Sequence, residues 1–236
     1  MRNQKNREKV VIQFSFFVAI TMAIVTFITF VIAILTPPLS GPFCKSSCFE
    51  YPYTDVISRF PRDYIWMYPA MLVALLFVVL MICIHHYAEN EKKIFSQIGL
   101  SFALISSIIL IADYFVQVSV IQPGLLKGET EGIAMLTQFN PHGVFIALEE
   151  IGYLIMSISF FSIVPVFYGK GGLRKAIRMT FITGLLLIVF SLILVSIKFG
   201  IMREYIFEVI VISIVWLELI ISSILLSIEF RRAMKT

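Results

Sequence analysis

The sequence predicts an all-α integral membrane protein: one domain, a bundle of six transmembrane helices, with both termini cytoplasmic. Three observations carry this expectation. Of the 236 residues, 59% are hydrophobic and only 14% are charged, where a soluble domain averages about 25% charged. Mean hydropathy is +0.93. Six apolar stretches approach or exceed the roughly 20 residues that a helix needs to cross a hydrocarbon core of about 30 Å. Such a composition excludes a disordered chain, a disulfide-stapled secreted module and an ordinary soluble enzyme.

The predicted spans are residues 10–35, 65–84, 98–121, 144–168, 180–197 and 204–228. They are too long for barrel strands and show no period-two alternation. In lipid the backbone must satisfy its own hydrogen bonds, so each span is read as a helix. Arg2, Lys5, Arg7 and Lys9 before the first span resemble the basic region of a signal peptide. The apolar run that follows is longer than the roughly 7–15 residues of a signal sequence, and Thr36-Pro37-Pro38 replaces a small-residue cleavage site. An uncleaved first helix is expected.

Orientation follows from the basic residues. Thirteen Lys and Arg lie in segments on the N-terminal side of the membrane, against six on the other. That asymmetry places both termini in the cytoplasm of a multi-pass cell-membrane protein. The net charge of +4 is thereby explained as topogenic and suited to anionic headgroups, with no nucleic-acid partner. The two long connections, residues 36–64 and 122–143, fall outside. The second is apolar enough, around Thr130 and Glu131, to start a short helix lying on the membrane, as a packing segment or a lid over the acidic spans. Cys44 and Cys48 share the first outer loop, where an oxidising compartment permits a disulfide. Cys83 reads as a packed apolar residue.

The chemistry rests on misplaced charge. Asp113, Glu149, Glu150, Glu208 and Glu218 lie inside spans, and no Lys or Arg does. Intramembrane ionisable residues cost about 2.5–3.5 kcal/mol on insertion scales and usually mark function. Each acid must hold a proton, reach water or meet a cation. Helical spacing aligns Ser106, Asp113 and Gln117 on the third span. It gathers His142, Glu149, Glu150, Tyr153 and Ser157 in one sector of the fourth. Glu204, Glu208, Glu218, Ser222 and Glu229 form a stripe on the sixth, with Glu204 and Glu229 as interfacial end charges. By depth, Asp113 lies about 12 Å and Glu149 about 8 Å below the outer surface. Glu208 is level with Glu149 and close to water, and Glu218 lies near the midplane.

The expected ligand- or ion-binding set is therefore Asp113, Gln117, Glu149, Glu150, Tyr153, Glu218 and His142. Asp113, Glu149 and Glu150 are expected to face one another across the third and fourth spans. Gln117, Tyr153 and Ser157 are the expected hydrogen-bond partners. His142 is a cap, a pH-responsive partner or a ligand in an oxygen-rich metal site. His85 and His86 sit at headgroup level. No cofactor and no complete metal site are expected. Leu154 stands where the E-E-x-x-x-R motif of CAAX-type intramembrane proteases requires Arg, so Glu149-Glu150 does not carry that chemistry. Three readings remain. One is a proton- or cation-coupled carrier or small-ligand binder. Another is a non-catalytic subunit or assembly partner of a membrane complex. The third is an intramembrane enzyme on a lipid-like substrate. The partners implied are the lipid bilayer, a proton or small cation, a lipid-like ligand and a membrane protein.

Overall fold

A computed structural model describes residues 2–235, leaving out the side chains of residues 2–8 and of Glu204. The basic side chains of Arg2, Lys5 and Arg7 and the end charge of Glu204 therefore lie outside the described set. The described residues hold eight α-helices and no strand. Six of these are long: α1 Arg2–Leu35, α2 Met67–Tyr87, α3 Lys93–Val116, α4 Val144–Ser162, α5 Gly172–Phe199 and α6 Glu204–Ala233. With their flanking turns they give six stretches long and apolar enough to cross a membrane, consistent with a multi-pass membrane protein.

The breaks between helices follow from local chemistry. α1 ends at Leu35, one residue before Pro37 and Pro38, since proline lacks an N–H and disfavours helix in the residue before it, here Thr36. Gly200, at φ 60°, ends α5. Gly171, at φ 129°, sets the turn into it. The short link between α2 and α3 is closed by Lys92 Nζ on Glu89 at 2.7 Å, and that hydrogen bond holds the Glu89 carboxyl below its usual range.

Several helix limits differ from the sequence expectation. The fifth helix starts at Gly172 rather than residue 180, because Arg174, Lys175 and Arg178 continue the helix beyond its apolar part. The third span does not end as a plain α-helix. Gln117–Ile121 form a π-helical turn and Gln122–Leu126 a further α-turn. Pro123 has no N–H for the ladder, and the wider turn ahead of it accommodates the gap. The second long connection is correspondingly shorter, with one small helix at Ile133–Leu136.

α1, α2, α3, α4 and α6 pack in that order as a closed ring, with α6 returning against α1. α5 lies outside the ring against α6 and α4, and exposes Leu186, Phe190, Ile193 and Ile197. Helices this apolar would gain no hydrophobic drive from one another in lipid, where close approach and interhelical hydrogen bonds hold a bundle together. The α3–α4 seam has both. Ser106 Oγ donates to Gly152 O at 2.7 Å and Ser159 Oγ to Gly99 O at 2.6 Å. A Cβ on Gly152 would lie 2.6 Å from Leu110 Cδ2. On the α2–α3 side, Ser107 Oγ donates to Ala74 O at 2.8 Å.

The two long connections lie together at the end away from the termini. Cys44 and Cys48 are joined by a disulfide with Cα atoms 5.9 Å apart. Asp63, 1% exposed, receives Arg59 Nε at 2.7 Å. Gln138 Nε2 donates to Asp63 O at 3.3 Å, and Phe139 packs edge-on to Phe49, so the two connections form one cap.

Candidate functional site

Beneath that cap lies a cavity of about 390 Å³, within the range of roughly 300–1,000 Å³ common for small-ligand sites. Its walls come from the end of α1, the chain just after it, α4 and α6. Most of the lining is apolar: Phe30, Ile34, Trp66, Phe139, Ile212 and Trp216 are among it. Among the described residues, three acids line it, Asp63, Glu149 and Glu208, and no Lys, Arg or His does. Asp63 already holds Arg59. The unsatisfied charge is that of the other two.

Glu149 is fully buried on α4. Its Oε1 accepts the Tyr114 hydroxyl at 2.6 Å. Tyr114 and Tyr153 hydroxyls are 2.7 Å apart, and Trp216 Nε1 donates to Tyr153 at 3.0 Å. The indole N–H can only donate, so Tyr153 accepts from Trp216. Tyr114 gives its one hydroxyl proton to Glu149, so the Tyr153 hydroxyl donates to Tyr114. With Glu149 as acceptor, each bond polarises the next toward the carboxylate. Three helices, α3, α4 and α6, supply this relay.

Glu149 Oε2 has no such donor, and neither has Glu208 Oε2 or Asp113 Oδ2. The Glu149 and Glu208 carboxyl groups meet within hydrogen-bonding reach, and Asp113 stands close enough to feel both charges. Two carboxylates in contact cannot both ionise cheaply. A single proton between them turns the repulsion into a hydrogen bond. A cation accepted by both oxygens does the same.

The structure distributes the expected site residues unevenly. Glu149 and Tyr153 come together through Tyr114, whereas Asp113 lies near enough to Glu149 to feel its charge but does not line the cavity. Glu150 turns instead toward Arg203, whose Nη1 lies 3.1 Å from Oε2. Gln117 is buried but serves the second connection: its Nε2 donates to Leu136 O at 2.6 Å, and its Oε1 accepts Gln138 N at 3.0 Å. His142 is exposed, does not line the cavity, and its backbone N–H caps Asn140 Oδ1 at 3.0 Å. Ser157 partners Glu218 rather than the Asp113 group, donating to Oε2 at 3.2 Å. Glu218 is ten residues beyond Glu208 on α6, about 15 Å along the axis. It packs directly on Gly184 of α5.

Two arginines alter the expectation that the acids lack basic partners. Arg203 precedes α6 and Arg174 lies in the first turn of α5. Both carry a guanidinium on a long apolar stem that reaches inward from a helix end. Arg174 Nε meets Glu229 Oε1 at 2.6 Å, with Tyr87 OH on the same oxygen at 2.8 Å. Glu229 is thus a buried, doubly bonded group at the termini end and not an interfacial end charge.

Glu208 lies on the sequence-expected α6 stripe but outside the expected binding set. Tyr114, Trp216 and Trp66 carry no signal in the sequence that marks them as site residues. Tyr114 adjoins Asp113 and reads as one more aromatic in an apolar run. Only the fold turns its hydroxyl to Glu149. Among the described residues, no three or more His, Cys, Asp or Glu side chains are grouped to hold a metal ion. No protein-family model matches the chain, and no curated protein and no solved structure matches it either.

Proposed function

We propose that the chain is a cell-membrane protein that binds a small cationic ligand in this cavity, in exchange for a proton held between Glu149 and Glu208. The termini face the cytoplasm, on the thirteen-to-six basic asymmetry, and the cavity faces outward. The observation that carries the reading is the cavity wall: two buried carboxyl groups within hydrogen-bonding reach of one another, each with an oxygen lacking a donor, and no basic residue on the lining among the described residues. A structural pair would hold a Lys or Arg there, as Glu229 and Asp63 do. Proton or cation coupling of a carrier is the activity such a site suits, since proton and ligand compete for the same oxygens. If one proton leaves per cation bound, apparent affinity falls about tenfold per pH unit below the titration of the pair.

Both tryptophans of the chain, Trp66 and Trp216, line the cavity. Intrinsic fluorescence is therefore a local reporter. Butylammonium titrated into the protein in nanodiscs is expected to change tryptophan emission saturably and to release protons into weakly buffered solution. Glu149→Gln and Glu208→Gln should each abolish both signals. Saturable binding with no proton release, or binding that survives both substitutions, would overturn the reading.

A further inference from the structure

Resting on that cation site, we infer that its ligand is a single-chain amphiphile with an ammonium head, which reaches the cavity sideways from the bilayer through the seam between α1 and α6. The head-group argument is charge complementarity. The Glu149 and Glu208 carboxyl groups on the lining suit a donor with several N–H groups, and among the described residues no basic side chain lines the cavity to hold a phosphate or carboxylate head.

The tail argument is geometric. A second hollow, about 330 Å³, lies on the same two helices, between Ile20, Ala23, Ile24 and Phe27 of α1 and Ile220, Ile224 and Ser227 of α6. On α6, Val209, Ser213 and Trp216 of the first cavity continue into Ile220, Ile224 and Ser227 of the second at intervals of three and four. Such residues lie along one helix face. On α1, Phe27 of the groove is one turn from Phe30 of the cavity. The two hollows thus follow one another along the same helix seam, with Phe30 and Trp216 in edge-to-face contact between them, a pair that a tail spanning both hollows must part. From Ser213 to Ile224 it runs about 16 Å, the length of a medium-chain tail. Its rim is open, with Ile34, Val209, Ile24 and Ile224 all exposed. The upper end has the acids and the lower end is apolar, which matches the polarity of an amphiphile standing in the bilayer with its head at the outer end.

The test compares dodecylammonium, butylammonium and 1-dodecanol, by tryptophan emission in nanodiscs, at matched concentration in the bilayer. A tail seated in the seam makes head binding effectively intramolecular. Dodecylammonium should then bind roughly tenfold or more tightly than butylammonium, and 1-dodecanol, which keeps the tail but lacks the charge, should compete far more weakly than dodecylammonium. Ala23→Phe fills the groove. It should bring dodecylammonium down to the butylammonium affinity and leave butylammonium unaffected, which also shows that the variant is folded. Equal affinity of the two amines in the native protein sinks the seam and leaves the cation site standing. Dodecanol competing as well as dodecylammonium, with Glu208→Gln indifferent, sinks the cation site itself.

Discussion

Replacing Glu208 by Gln should make the protein more stable and functionless, and the gain should depend on pH. The two side chains have the same shape, so nothing in the packing changes. The amide Nε2 can take the place of either Glu208 oxygen. Glu149 is within hydrogen-bonding reach and offers it Oε2, the oxygen that Tyr114 leaves free. A hydrogen bond to a charged group contributes about 1.5–3 kcal/mol. For a chain of this size each kcal/mol moves Tm by about 2–4 °C, so the shift is about 3–12 °C. The sign of the pH dependence follows from what occupies the pair. In acid a proton already bridges the two carboxyl groups of the native protein, and the amide adds little. In alkali the native pair loses that proton and two charges face each other, whereas the variant keeps its bond. The difference in Tm should therefore widen as pH rises. Thermal unfolding followed by tryptophan emission in detergent, from mildly acidic to alkaline buffer, measures it. Parallel curves, or a variant less stable at every pH, would refute the carboxyl pair and the cation site built on it.

Four further outcomes follow. Gly184→Ala puts a Cβ within 2.7 Å of all three carboxyl atoms of Glu218; it should destabilise by about 1–3 kcal/mol, and Glu218→Ala in the same chain should recover most of the loss in a thermal-unfolding comparison. Arg174→Ala leaves Glu229 buried without its guanidinium and should cost about 3–5 kcal/mol, with Glu229→Gln as the compensating second change. Thiol quantitation of denatured, unreduced protein should find one free group, from Cys83, because Cys44 and Cys48 are bridged; three groups would show the bridge absent. A cysteine placed at Lys235 should resist membrane-impermeant reagents in intact cells, and its labelling there would reverse the proposed orientation.

How much of this was legible in the sequence depends on which physical signal each feature leaves. Length and hydropathy fix six helices because lipid forces every backbone group into a local ladder. They do not fix the helix ends, since Arg174 and Arg178 are as helical as the leucines after them. The acids stand out because charge in a membrane is costly, so Asp113 and Glu149 are identified from one chain alone. Which acids meet is a different question. Glu149 and Glu150 are adjacent in sequence, share a helix and fall in the same broad sector. Yet Glu149 turns to Glu208 and Tyr114, while Glu150 turns to Arg203. The rotation of a helix by one residue decides this, and only contact with its neighbours sets that rotation.

The aromatic relay shows the limit most clearly. Tyr114, Tyr153 and Trp216 sit in apolar runs where an aromatic is unremarkable in composition, and nothing in their spacing joins three different helices. Their role exists only after the ring closes. Once it does, the chain Trp216 to Tyr153 to Tyr114 to Glu149 uses the indole N–H and both hydroxyl protons, and it ends on one oxygen of the acid. It therefore orients Glu149 and leaves its second oxygen without a donor, beside a Glu208 carboxyl within hydrogen-bonding reach. Tyr114→Phe separates the two contributions. It removes the donor to Glu149 Oε1, leaves the Glu208 contact in place, and keeps the ring that packs against Trp66. If the relay positions the acid, butylammonium affinity should fall while proton release per cation bound stays the same. A fall in that proton count instead would mean that the relay, and not the carboxyl pair, holds the exchangeable proton.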